Sequence, residues 1–236
     1  MMRRRQRPGR GAAATLAVAI ITLWLTAGGW STDAAASPGT PPGTLPGTPL
    51  ELFGYAEAEQ ADIAPFRQWL SALERHLRLD VAEADCSEER FNHCHLREWL
   101  AFLDSIRDLP RAQQLQRVNE YANRKTYVLD LDNYGLEDYW AVAREFLYNG
   151  GDCEDYAITK LFSLRWLGVD TDALRIVVLQ DTNLRIPHAV LAVYQDGEIF
   201  ILDNQIEKVV RHSDIVHYVP VYSINETHWW IHTPSL

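Results

Sequence analysis

A lone cysteine, Cys153, stands in the run Asn149-Gly150-Gly151-Asp152-Cys153-Glu154-Asp155-Tyr156, just past two glycines and between acidic side chains. Apolar residues at helical spacing continue to Leu167 and stop at Gly168, and Asp155 follows Asp152 by three residues, as in a capping box. The spacing predicts a helix that starts at Asp152 and carries Cys153 in its first turn. Unpaired amides and the positive end of the helix dipole favour a thiolate there, the form in which cysteine is a nucleophile. The carboxylates of Asp152, Glu154 and Asp155 oppose that ionisation, so either a cation neutralises them or they point away from the sulfur. The plainer readings of the same residues are a packed structural cysteine and ordinary helix capping by the acidic trio.

A thiol that attacks carbonyls needs an imidazole to take its proton and a third group to fix the imidazole's tautomer. Of the eight histidines, His188 alone combines a predicted strand start, after Pro187, with a carboxylate on the same face of a neighbouring strand. Asp196-Gly197 is a strong hairpin signal. With it as the turn, Tyr194 opposes Ile199, Val190 opposes Asp203 and His188 opposes Gln205. His188 and Val190 share a face, so Asp203 shares it too, diagonal to His188 and about 5 to 8 Å away between backbones. A one-residue bulge would break this parity. Asn204 is the alternative orienting group, and each of the three residues taken alone reads as structural. Their coincidence in one geometry favours a Cys153, His188, Asp203 triad. The oxyanion donors are not legible beyond a candidate pair, the amide of Cys153 and a donor from the Trp140 region.

The elements that must position these groups fall in two blocks. Helical periodicity covers 63–79, 95–106, 111–123 and 136–147, and the cysteine helix is apolar around most of its circumference, which predicts a buried central helix. After Gly168 the period changes to that of strands, at 174–179, 188–194 and 198–203, with weaker ones at 208–211 and 217–224. Helices followed by an antiparallel sheet make an α+β fold, with a helical N-terminal part and the nucleophile helix packed on the sheet.

Upstream, Arg3, Arg4, Arg5, Arg7 and Arg10 precede an uncharged run over 11–30, and Ala34-Ala35-Ala36 offers a small-residue cleavage site. Residues 1–36 therefore read as a secretory signal peptide, with an uncleaved membrane anchor as the alternative. Residues 37–49 form a Pro/Gly/Thr linker, and 50–236 suffice for one domain. Cleavage removes five of the 22 Lys and Arg and one of the 32 Asp and Glu, leaving a formal charge of −14. That excludes nucleic acid as a natural partner and suits calcium or a basic partner surface. Three cysteines in an exported chain divide most naturally into a Cys86–Cys94 disulfide and a free Cys153. A zinc site using Cys86, Cys94 and a neighbouring histidine lacks the regular four-ligand spacing.

The motif Gly150-Gly151-Asp152-Cys153-Glu154-Asp155-Tyr156-Ala157, together with Asp138-Tyr139-Trp140, Glu145-Phe146-Leu147, the His188 strand and Leu202-Asp203-Asn204, resembles the bacterial transglutaminase-like cysteine peptidases of the LapG type. The likeness covers about residues 60–225 and is specific as a set. It implies a papain and transglutaminase-like fold, a periplasmic address and Ca²⁺-dependent cleavage of large surface adhesins near their N-termini, and hence control of cell attachment and biofilm. It also implies capture by an inner-membrane receptor that senses cyclic di-GMP. Carried over by residue, Cys153 is the nucleophile, His188 the base, Asp203 the orienting acid, and Asp152 and Glu154 the calcium carboxylates. Two side chains fall short of a full calcium shell, so further oxygens must complete it. The chain departs from the pattern at Arg185-Ile186-Pro187-His188-Ala189, where polar and Met-containing surroundings are more usual, and this bears on substrate preference. Two rival functions use the same residues: a transglutaminase-type acyltransferase, and a non-catalytic binding module on the same fold.

Overall fold

The cysteine helix organises the structure, a computed structural model that describes residues 51–78 and 94–235, all within the unit Pro46–Leu236. The export segment, its cleavage site, the linker and Cys86 lie outside the described residues, and with Cys86 the proposed Cys86–Cys94 pairing. A short strand, β1 (Tyr55–Gln60), leads into helices α1 (Arg67–Leu77), α2 (Cys94–Ile106), α3 (Arg111–Asn123), α4 (Asp130–Tyr134), α5 (Ala143–Asn149) and α6 (Cys153–Trp166). Strands β2 (Leu174–Asp181), β3 (Ile186–Gln195), β4 (Glu198–Leu202), β5 (Val210–Arg211), β6 (Tyr218–Ile224) and β7 (Trp229–Pro234) follow. The seven strands form one antiparallel sheet in the order β1-β7-β6-β2-β3-β4-β5.

Helix α6 is buried at every residue from Asp155 to Leu164, as its all-round apolar pattern requires, and it packs against β2 and β3. The helix-side core joins Leu191 and Val193 of β3 and Leu202 of β4 to α6 and to Trp69, Trp99 and Leu115 of the other helices. Val190, Ala192, Ile199 and Ile201 point to the other face, where Leu52, Ile215 and Tyr218 cover them. Burying both faces accounts for the near-continuous apolar run of β3, and each fully buried aliphatic side chain contributes roughly 1.5 to 3 kcal/mol. The β3–β4 hairpin is regular, pairing Tyr194 with Ile199 and Leu191 with Leu202. The ladder ends at Leu191–Leu202, so the expected Val190–Asp203 and His188–Gln205 pairs lie just beyond it, and it is the side-chain contact of His188 with Asp203 that brings the two together.

Two expectations need correction. The helix expected over 136–147 begins only at Ala143, because distant partners take the backbone groups of Tyr139, Trp140 and Ala141 and Glu145 caps the new helix start at Val142. Tyr139 N–H donates to Asp130 Oδ2, Ala141 N–H to Asp155 Oδ1 and Val142 N–H to Glu145 Oε2, while Trp140 C=O accepts from Arg75. Helices do not simply precede strands either, since β1 comes first and pairs with β7 at one edge of the sheet. The sequence of β1 is polar because its glutamates are structural: Glu57 accepts from Tyr194 Oη at 2.8 Å and pairs with Arg175, and Glu59 accepts from Trp230 Nε1 at 3.1 Å.

Candidate active site

The start of α6 is fixed from two sides. Gly151 N–H donates to Thr126 C=O, Val128 N–H donates to Gly151 C=O, and Gly150 N–H closes α5 on Phe146 C=O at 2.8 Å. Gly150 has φ +76°, and a Cβ there would lie 2.3 Å from the backbone oxygen of Thr126. A Cβ on Gly151 would lie 2.1 Å from Asp155 Oδ2. Fully buried Asp155 accepts from Ala141 N–H at 2.6 Å and from Asp152 N–H at 3.3 Å, so one carboxylate ties the Trp140 segment to the first turn. Because Gly150 combines a positive φ with a backbone overlap, Gly150→Ala is expected to cost roughly 2 to 4 kcal/mol of stability. Urea unfolding would measure it, and a loss under about 0.5 kcal/mol would contradict the packing described.

Partly exposed Cys153 and buried His188 line one cleft of about 210 Å³ with Trp140, Glu154, Pro187 and Tyr222 among its walls. His188 Nε2 lies 2.9 Å from Asp203 Oδ1, and both residues are buried. The other ring nitrogen, Nδ1, is 3.5 Å from Gln205 Nε2, the edge of hydrogen-bond range. The Asp203 carboxylate also accepts Gln205 N–H at 2.8 Å and the Tyr218 hydroxyl at 2.6 Å. Burial pushes its pKa up, but the His188 contact, the Tyr218 hydroxyl and the Gln205 amide together bring it below the ordinary carboxylate value. Beneath lies Lys160 of α6, fully buried with no hydrogen bond on Nζ. Burial lowers its pKa to about 7, opposed by the charge of Asp203. The Trp140 indole N–H is already donated to Asp138 Oδ1 at 3.0 Å, which leaves that ring no free donor for an oxyanion.

Acidic groups crowd the thiol. Cys153 Sγ is 3.1 Å from Glu154 Oε2 and donates to it. Burial, then the neighbouring Glu154 and Asp152, hold the thiol pKa well above the ordinary value, with the Ala189 amide pulling the other way. Burial and the Glu154 charge raise Asp152 to about 8, and burial raises Asp130 to about 6. Glu154 is also raised, first by burial. Ligand oxygens of Asp130, Asp138 and Glu154 lie within 4.8 Å of one another, as do those of Asp130, Asp152 and Asp155. Buried Oδ1 atoms of both Asp130 and Asp152 have no hydrogen-bond partner. Orphaned carboxylate oxygens converging at hard-cation spacing fit Ca²⁺, which takes six to eight oxygens. Either triad would offer oxygens to the ion, with Asp130 common to both; in the second, Asp155 is already spent on backbone amides. The sequence pointed to Asp152 and Glu154; the structure adds Asp130 and Asp138 as neighbouring candidate carboxylates, whose only local signal was the acidic density of Asp130, Asp132, Glu137 and Asp138.

The chain as a whole is similar to known proteins. Solved structures of Legionella pneumophila LapG align with 34% identity over 61% of this chain and 80% of that one, at a TM-score of 0.54. A calcium-bound LapG structure aligns with 34% identity over 61% and 82% at 0.56, and an EGTA-treated one with 30% identity over 75% and 90% at 0.56. These likenesses extend to the transglutaminase-like fold. A comparison with curated proteins gives no match. The family model of bacterial transglutaminase-like cysteine proteinases, BTLCP, matches residues 84–235, and the chain belongs to that family.

Proposed function

We propose that this cysteine peptidase is an exported, calcium-dependent endopeptidase that uses Cys153 as nucleophile, His188 as base and then acid, and Asp203 to orient the imidazole. The observation that carries the reading is the buried 2.9 Å contact between His188 Nε2 and Asp203 Oδ1, with His188 and Cys153 lining one cleft. With Nε2–H donated to Asp203, Nδ1 is the nitrogen available to the thiol proton. Cys153 Sγ attacks the substrate carbonyl carbon as His188 Nδ1 takes that proton, and the proton passes to the leaving amine as the C–N bond breaks. The resulting thioester is hydrolysed when His188 draws a proton from water, and the sulfur leaves as a thiol. Calcium, when bound, supplies positive charge beside the thiol and fixes the carboxylates of Asp152 and Glu154.

We further propose that the substrate is a large surface adhesin cut in its N-terminal region in the periplasm, which would place the enzyme in control of attachment and biofilm. An inner-membrane cyclic di-GMP receptor that sequesters it is the corresponding partner. What supports these readings is the 30 to 34% identity to LapG and the arginine-led export signal. The test is incubation of the protein from residue 37 onward with the N-terminal regions of the large adhesins of its own genome, in calcium and in EGTA. A single cut made only with calcium, located by mass spectrometry, is expected. Intact adhesins in both conditions would reject the substrate assignment.

A further inference from the structure

Tyr218 sits on β6, two strands from His188 across β2, yet its hydroxyl and its ring both reach the pair that sets the imidazole. Asp203 Oδ1 is fully engaged by His188 Nε2 at 2.9 Å and Gln205 N–H at 2.8 Å. Oδ2 is left, and Tyr218 Oη fills it at 2.6 Å. Facing an ionised carboxylate, the phenol must be the donor, and charge-assisted bonds of this length are about twice as strong as neutral ones. The Tyr218 ring stands edge-on to His188 with centroids 5.8 Å apart, and Phe53 stands edge-on to Tyr218 at 5.7 Å. Phe53 is in turn anchored by its N–H on His212 Nδ1 at 3.0 Å. Tyr218 is only 3% exposed, so water does not replace its hydroxyl. A tyrosine serving the second core alone would need the ring without the hydroxyl, and phenylalanine would fit.

We propose that Tyr218 is a positioning residue of the catalytic apparatus, acting through Asp203: its hydroxyl holds the second carboxylate oxygen so that the first stays aligned on His188 Nε2, while its ring limits the tilt of the imidazole. The proposal rests on the reading of Asp203 as the orienting acid. Three groups face Asp203 from the elements packed on it, His188 from β3, Tyr218 from β6 and Lys160 from α6, and Asp181 is the further carboxylate near Tyr218. With the Tyr218 hydroxyl gone, Oδ2 is buried with no hydrogen-bond donor and the carboxylate is free to rotate off the ring. Each consequence reduces the hold on the imidazole and hence the rate at which the thiol is activated.

The test is a double-mutant cycle read by the rate at which iodoacetamide alkylates Cys153 in the calcium-loaded protein at pH 7, a probe that needs no knowledge of the substrate. Tyr218→Phe should slow alkylation about tenfold. Asp203→Asn should slow it at least as much, and Tyr218→Phe should add nothing in the Asp203→Asn background. Site-specific 3-fluorotyrosine at position 218, a somewhat stronger donor of nearly the same shape, should keep the parent rate. A Tyr218→Phe rate within twofold of the parent while Asp203→Asn is slow overturns the proposal and spares the triad. An unchanged rate in Asp203→Asn sinks both. Equal slowing by Tyr218→Phe in both backgrounds, or a Tyr218→Phe protein unfolded by circular dichroism, means Tyr218 acts through packing and also overturns the proposal.

Discussion

Cys153→Ala is expected to yield a folded protein whose cleavage of the adhesin fragment falls by at least about 10³-fold. The fold should survive because the thiol packs at the partly exposed mouth of a cleft rather than in the core, and alanine is a good first-turn helix residue. Activity should not survive, because no other thiol lines the cleft and a thioester needs the sulfur. His188→Ala should be comparably severe, since without an imidazole the Glu154 carboxylate that accepts from the thiol would be the nearest base. Asp203→Asn should retain residual turnover: an asparagine oxygen can still accept from the ring, with the Gln205 amide helping to seat it. A folded Cys153→Ala protein that cuts within tenfold of the parent would rule out the nucleophile assignment. If it fails to cut while the parent joins amines to glutamine side chains, the acyltransferase is the better account.

Much of this arrangement was legible from local pattern. The cysteine helix announced itself by an apolar circumference and by the glycines before it, and the Asp196-Gly197 turn fixed a hairpin whose arithmetic brought Asp203 beside His188. Both depend on interactions within a few residues or across one tight turn. What stayed hidden depends on distant partners. The segment from Tyr139 to Val142 has a helix-like apolar spacing, but carboxylates of Asp130 and Asp155 capture the amides of Tyr139 and Ala141, and no local signal reports a buried acceptor supplied by another helix. Strand β1 reads as polar because its glutamates meet an arginine and two aromatic donors from elsewhere in the sheet. Asp130 reaches the acidic cluster where a parallel bridge pairs Tyr127 with Gly151, 24 positions on in the chain. Tyr218 lies on β6, three strands from the end of β4 where Asp203 stands, and has no sequence relation to Asp203.

Calcium removal is the second large effect expected. EGTA at pH 7.5 should silence cleavage reversibly, and Ca²⁺ should restore it better than Mg²⁺, whose tighter octahedral demand suits a cluster of several carboxylates poorly. The cause lies in the first turn of α6: without positive charge nearby, the thiol donates to Glu154 and burial plus two carboxylates hold it protonated. The same crowding gives a stability signature. Asp152 and Asp130 have folded-state pKa values raised to about 8 and about 6, so each favours folding in its protonated form. Their contribution is present below the unfolded carboxylate value near 4 and is lost as pH rises through 6 and 8. Metal-free protein should therefore show a lower urea midpoint at pH 8 than at pH 5, and millimolar Ca²⁺ should shrink or reverse the difference, because ligation requires ionised carboxylates. The contribution of Asp203, whose pKa is lowered, is lost only below that window and does not mask the trend. Replacing both Asp152 and Glu154 by alanine should abolish the calcium response of activity and flatten the stability profile together. Should that double variant cleave normally in excess chelator, the acidic pair would be a helix cap, and the charge that activates Cys153 would have to come from His188 alone.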